Sequence, residues 1–218
     1  MIDSIFIGGR SSLPPEGQPT GIFKHPVSAA SVGATGVAGD HQADRRHHGG
    51  TEKAVHHYAA ENYARLAAEF PALAPALVPG SLGENLSTHG WTERNVHVGD
   101  VFRIGSARLQ VSQPRSPCWK INHRFGVDDL SRWIAAARIT GWYYRVLAPG
   151  MIAVGDPIER IGQDPYPVSI DDFWRLVLAH RPDPEGLARL AASPALAGEW
   201  RRKIVDRIAW LERGGPPA

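Results

Sequence analysis

Cys118 is the only cysteine of the chain and closes the run Gln113-Pro114-Arg115-Ser116-Pro117-Cys118. Two prolines stiffen that loop, and cations such as Arg115 and Lys120 beside a thiol favour its anionic form. The thiolate this favours binds a soft metal or attacks an electrophile. Read by composition alone, the same residue is an inert buried cysteine, because free cysteine is among the most buried residue types. A single cysteine forms no internal disulfide and no four-thiolate zinc or iron–sulfur site within one chain. Redox chemistry here therefore requires an external cofactor.

A second candidate is His47-His48-Gly49-Gly50-Thr51-Glu52-Lys53-Ala54-Val55-His56-His57. The glycines Gly49 and Gly50 let backbone approach a ligand closely. The free N–H groups of a helix opening there attract an anion such as phosphate, and Lys53 adds positive charge. Zinc is a further reading, with His48, His56 or His57, and Glu61 as ligands. The spacing fits no standard zinc motif, however, and adjacent histidines on a helix point in different directions. The plain alternative is an exposed helix start with solvated histidines. Third, Gly80-Ser81-Leu82-Gly83-Glu84-Asn85-Leu86 sets two polar side chains in a glycine-bounded loop. Asn85 both donates and accepts, as recognition of a heterocycle edge requires, although the segment also reads as a simple turn. Lys24, between Phe23 and His25, is by itself an edge lysine in a strand-like run.

These residues need elements to hold them. Short β-type runs fill the first three-quarters of the chain: Ser4-Ile5-Phe6-Ile7, Asn95-Val96-His97-Val98, Tyr144-Arg145-Val146-Leu147 and Met151-Ile152-Ala153-Val154. Val101 to Val111 alternates with period 2 on both sides of Gly105-Ser106, which predicts a hairpin with Arg103 and Arg108 on its outer face. Many short strands closed by Gly and Pro turns predict a barrel. A helix is expected from an N-cap at Thr51 through Val55, Ala59, Asn62, Leu66 and Phe70, ending at Pro71, and another near 128–137. Composition changes at Gly162-Gln163-Asp164-Pro165-Tyr166-Pro167, and only helical patterns come after it. They run from an N-cap at Ser169 to Ala179, from Pro184 to Ala192, and from about Pro194 to Glu212, the last with an apolar stripe of Ile204, Val205, Ile208 and Leu211. The expectation is a mixed, mainly β fold: a barrel domain over 1–163 and a small helical module over 164–218.

The 218 residues, 43% of them hydrophobic, are enough to bury a core of ordinary size. A formal charge of +2 suits a small anionic ligand. The basic runs Arg45-Arg46 and Arg201-Arg202-Lys203 are short and lack interleaved aromatics, so direct nucleic-acid binding is not expected. Met1 to Gly8 does not read as a signal segment and no run reaches the roughly 20 apolar residues of a membrane span, so the expected location is the cytoplasm.

Taken together, Gly39-Asp40-His41-Gln42, His48-Gly49-Gly50 followed by His57-Tyr58, Gly83 to Thr88, Val98-Gly99-Asp100 and Val111 to Cys118 resemble the MOSC domain family and, within it, the YiiM-like subgroup. The tail from about Pro167 resembles the three-helix domain of that subgroup. The resemblance covers nearly the whole chain. It implies a MOSC-type β-barrel that binds a molybdopterin-type molybdenum cofactor, with Cys118 ligating the metal, and reduction of N-hydroxylated compounds such as hydroxylaminopurine to amines. It further implies Lys24, His57 and Cys118 as the active-site trio, with His48, Gly49, Gly50, Lys53, Glu84, Asn85, Gln113 and Arg115 around the cofactor. No Gly-x-Gly-x-x-Gly fingerprint is present, so electrons are expected from a separate flavin or iron–sulfur reductase. The expected assembly is a monomer or homodimer. Two rival readings use the same cysteine: a sulfur carrier or cofactor-maturation protein with a persulfide on Cys118, and a cysteine hydrolase pairing Cys118 with His57.

Overall fold

The computed structural model describes residues 1–15, 17–43 and 49–214, so His47 and His48 lie outside the described residues. The first elements are strands β1 (Ser4–Ile7), β2 (Ser11–Leu13), β3 (Gln18–Thr20), β4 (His25–Val27), β5 (Ala29–Gly33) and β6 (Gly36–Val37). A 3-10 turn (Thr51–Lys53) precedes β7 (Val55–Ala59), helix α1 (Glu61–Glu69) and β8 (Leu86–Thr88). Then come β9 (Val101–Ile104), β10 (Ala107–Pro114), α2 (Lys120–Phe125), α3 (Leu130–Ala136), β11 (Trp142–Ala148), β12 (Gly150–Ala153) and β13 (Ile158–Gly162). Helices α4 (Ile170–Leu178), α5 (Pro184–Ala192) and α6 (Gly198–Glu212) complete the chain.

One eight-stranded sheet, ordered β13-β9-β10-β11-β7-β8-β1-β4, curls strongly into a half-barrel. Its neighbours are antiparallel except β7 and β8. That parallel pair needs a long crossover, which α1 and the loop to Leu86 supply. A smaller sheet, β12-β5-β6, and the β2-β3 hairpin complete the β structure. The hairpin around Gly105-Ser106 forms as its alternation requires, with Ala107 opposite Ile104 and both arginines exposed.

Three segments depart from expectation. The helix expected from Thr51 begins ten residues later, at Glu61. Val55 to Ala59 is instead a strand held between β11 and β8, because pairing on both edges and burial of β-branched and aromatic side chains outweigh a helical spacing of apolar positions. Asn95 to Val98 is a turn with an isolated bridge from His97 to Ser169; Asn95 closes it by accepting from the Thr92 N–H at 2.8 Å and donating to the Gly90 carbonyl at 2.7 Å. The last helix starts at Gly198 rather than Pro194, since the chain ahead of it docks on the barrel through the Ala197 N–H and the Ser112 carbonyl at 2.9 Å. Its residue Val205 turns to solvent while Ile204, Ile208 and Leu211 pack inward.

The barrel and the helical tail share one core. Phe102, Val111, Trp142 and Tyr144 from the sheet meet Ile170, Phe173, Leu187, Leu190 and Ile204 from the three helices. A second cluster, with Tyr58, Tyr63, Leu66, Leu82, Ile121 and Ile134, fills the space beneath α1, α2 and α3. Strand β7 runs between the two clusters, so both of its faces are covered. Val55 looks into the first cluster and Tyr58 into the second, as period-2 alternation requires. Among the described residues, no helix is long and apolar enough to cross a membrane.

Candidate functional site

Strand β10 delivers the cysteine loop. Its register against β11 shifts between Val111 and Gln113, and at this irregularity the Ser112 hydroxyl donates to the Tyr143 carbonyl at 3.1 Å. Such a bulge re-aims the strand end. The Arg115 N–H then bonds the Gly141 carbonyl at 3.0 Å, and Cys118, half-buried, sits just before α2. A cleft of about 640 Å³ empty volume opens here, lined among others by Cys118, Arg115, Lys24, His56, Asn85 and Tyr143. These residues thus bring five separate regions of sequence to one cavity.

Lys24 is no edge residue. Its Nζ lies 2.7 Å from both carboxylate oxygens of Asp40, and the two side chains are 5% and 3% exposed. Burial lowers the Lys24 pKa, opposed by the Asp40 charge and hydrogen bond. Asp40 also accepts from the Gly8 N–H at 2.9 Å and from Asn85 Nδ2 at 2.9 Å. Asn85 Oδ1 in turn accepts from the His56 N–H at 3.0 Å. Asn85 is a brace that ties β7 to the Lys24–Asp40 pair at the cleft wall.

Adjacent histidines on a strand face opposite ways, and this separates His56 from His57. His56 lines the cleft, and its pKa is held well below the usual histidine value by burial, then by Arg115 and Lys24. Its ring bonds the Gly83 backbone, while Nε2 is buried without a hydrogen-bond partner. His57 points into the core instead. Its Nδ1 lies 2.9 Å from the Tyr144 hydroxyl and its Nε2 2.7 Å from the Thr88 hydroxyl, and burial drives its pKa down to about 3. The placement of His57 beside Cys118 and Lys24 is therefore corrected: it is a neutral pin joining β7, β8 and β11, and His56 occupies the cleft position.

Arg115 is 6% exposed, and among the described residues no carboxylate forms an ion pair with it. It lies beside Tyr143, whose pKa is raised by burial and pulled back by the guanidinium. A buried cation without a counter-ion is costly unless an anion joins it. Lys53 and Lys120 line the same cleft.

The other expected positions divide. Glu84 is fully buried below the cleft, accepting from the Tyr63 hydroxyl at 2.5 Å and the Gly80 N–H at 2.6 Å; it fixes the turn, and its neighbours Leu82, Gly83 and Asn85 line the cavity. Gly49 and Gly50 do not line the cleft, and they lead into a three-residue turn, too short to present a helix N-terminus to an anion. Gln113 lines an adjoining groove, with its Oε1 unpartnered. Asp40, His56 and Tyr143 line the cleft, a place that the sequence reading gave to none of them. Asp40 was within reach through the Gly39-Asp40-His41-Gln42 motif, and His56 through strand rather than helix periodicity. Among the described residues no three His, Cys, Asp or Glu side chains gather to hold a metal ion unaided.

Comparison with known proteins matches this architecture. The MOSC domain model matches residues 44–159, and the model of the YiiM-like, 3-alpha helix domain matches residues 168–209. Protein YiiM of Escherichia coli is 38% identical over 201 residues, covering 91% of this chain and 89% of that protein. A protein of Gibberella moniliformis named Reductase is 43% identical over 136 residues, 62% of this chain but 24% of that protein. The crystal structure of YiiM from Geobacillus stearothermophilus has a TM-score of 0.81 at 29% identity, with 95% of this chain and 98% of that chain covered. By sequence and by fold, the chain belongs to the MOSC domain family, in its YiiM-like branch with a C-terminal three-helix domain.

Proposed function

We propose that this protein is a molybdenum-cofactor-dependent reductase of N-hydroxylated compounds, with Cys118 as the protein's ligand to the metal. One observation carries the reading: a thiol, Cys118, shares a cleft with Arg115, a buried cation lacking a carboxylate partner among the described residues. A lone sulfur donor is too little for a metal cage, but suits a metal that arrives with its own organic ligands, and a buried guanidinium suits the phosphate such a ligand carries. The MOSC family is associated with the molybdenum cofactor, and a relative bears the name Reductase.

Cys118 would hold the metal, and Arg115 with Lys53 and Lys120 would hold the anionic end of the cofactor. When bound, the cofactor supplies a centre that passes two electrons. Reduction of an N–OH group to the amine consumes two electrons and two protons and releases water. His56, neutral and with Nε2 unpartnered, accepts a hydrogen bond from the substrate or cofactor. Lys24, its pKa lowered by burial, is a source of a proton at the cleft, and Asp40 holds its ammonium at the wall. Electrons come from a separate flavin or iron–sulfur reductase, in the cytoplasm.

The test is metal and pterin analysis of protein made in a host competent for cofactor synthesis, beside its Cys118→Ala variant. Stoichiometric molybdenum and pterin are expected in the wild type, with molybdenum and reductase activity both lost in the variant. Absence of both from the wild type, or full activity in the variant, would sink the proposal. Robust turnover with a nicotinamide cofactor alone would overturn the separate electron donor.

A further inference from the structure

Cys118 stands at the junction of two cavities. Beyond the cleft lies an open groove of about 1130 Å³ empty volume, which shares Cys118, Lys53, Lys120 and Tyr143 with it. The two differ in character. The cleft holds the buried groups Arg115, His56 and the Lys24–Asp40 pair, whereas the groove is bounded by Gln113, the exposed ring of Trp119, and Glu199 and Lys203 from α6.

Resting on the reading just given, the geometry points to the groove as the substrate site, built for a flat N-hydroxylated aromatic compound that carries an anionic group, with α6 of the three-helix domain as its far wall. Four features support this. Gln113 is 2% exposed, lines the groove, and leaves its Oε1 without a partner, so an amide end is available to an N–H or O–H of a substrate near Cys118. Trp119 is 46% exposed although its neighbours hold it: its ring meets His123 edge-on at 4.8 Å between centroids, and Lys120 Nζ lies 5.9 Å from its centre. An indole fixed at the mouth of a groove is a stacking surface for a planar ring. Of the cations at the groove, Lys53 and Lys120 also border the cleft, whereas Lys203 borders the groove alone and is the one left for a substrate anion. Finally, Glu199 bridges two of those cations, at 3.3 Å from Lys53 Nζ and 2.7 Å from Lys203 Nζ, which joins the barrel wall to the helix wall across the site. A substrate anion entering here replaces part of the role of Glu199.

Two matched probes read this charge preference: benzamidoxime, which is uncharged, and 4-carboxybenzamidoxime, which differs by one carboxylate. Steady-state kinetics on cofactor-loaded protein should give the carboxylated probe the lower KM. Lys203→Gln should raise the KM of the carboxylated probe about two- to fivefold and leave kcat and the KM of the uncharged probe unchanged, the loss of one screened charge contact. Trp119→Ala should raise the KM of both. Molybdenum content stays at the wild-type level in Lys203→Gln, since Lys203 lies outside the cleft that holds Arg115 and His56. Calorimetric titration of the carboxylated probe into cofactor-free protein reads the groove without turnover, and Lys203→Gln should weaken that binding by the same factor. If the loaded enzyme turns over both probes with KM values that neither variant changes, or if the titration shows no effect of Lys203→Gln, the groove assignment falls while the reductase reading stands. Wild-type protein without molybdenum would refute the reductase reading instead, and the titration would still decide whether the groove binds the anion.

Discussion

At the scale of single residues, neighbouring histidines have opposite tasks. His56→Gln should lower kcat about ten- to a hundredfold with molybdenum content unchanged, because it removes a group at the reacting face and not a ligand. Retained kcat would show that the unpartnered Nε2 has no role. His57→Leu should instead cost stability, about 2–4 kcal/mol by chemical denaturation, since it strands the hydroxyls of Tyr144 and Thr88 in the core. The same residue sets a pH dependence. Its folded pKa of about 3 lies below the ordinary 6.5, so between those values the unfolded chain binds the extra proton. The stability from neutral His57 is complete above pH 6.5 and drains as pH falls toward 3, at about 1.4 kcal/mol per pH unit from this group. Unfolding midpoints at pH 7 and pH 5 measure it: the wild type should lose more than His57→Leu over that interval, and equal losses would contradict the assignment.

At the scale of elements, strand ends position the site. Gly141 precedes β11 with φ of +69°, and a Cβ there would collide with the His57 carbonyl oxygen and come within 3.1 Å of His56 Nε2. Its N–H is held at 2.8 Å by the buried Glu93 carboxylate, and its carbonyl receives the Arg115 N–H. Gly141→Ala should therefore cost about 2–4 kcal/mol and disturb Arg115 and His56 together, seen as a lower melting temperature with weakened cofactor retention. An unchanged melting temperature would mean that this backbone has slack which the packing does not show. On α4, the Ser169 hydroxyl accepts from the Asp172 N–H at 2.9 Å, so Ser169→Ala should remove about 1 kcal/mol by chemical denaturation. The N-cap pattern announced that helix in the sequence. The strand at Val55 to Ala59 had no such local signal, because its pairing partners lie 29 or more residues away in β8 and β11.

Across the whole molecule, the helical tail and the barrel are held by one core and by polar ties. Trp174 Nε1 donates to the Thr140 hydroxyl at 2.8 Å, Arg145 reaches the Ala195 carbonyl at 2.7 Å, and Arg138 pairs with Asp171 at 2.8 Å. The full chain should therefore unfold in one transition, with circular dichroism and tryptophan fluorescence coincident, and fragment 1–163 should expose the apolar surface that α4 and α5 cover. A soluble fragment with native spectral dispersion would refute that coupling. Much of this was legible beforehand. Hairpin alternation, the Ser169 cap, the start and end of α5, and the Pro-rich cysteine loop are local in sequence, and the physics that fixes them acts over a few residues. What the tertiary structure decided is which side chains meet. Strand pairing turned His57 into the core and His56 to the cleft, folding brought Asp40 against Lys24, and docking of α6 set Glu199 and Lys203 on the groove that Cys118 also lines. These choices depend on pairing and burial between residues far apart in the chain, and a sequence read a few residues at a time carries no term for them.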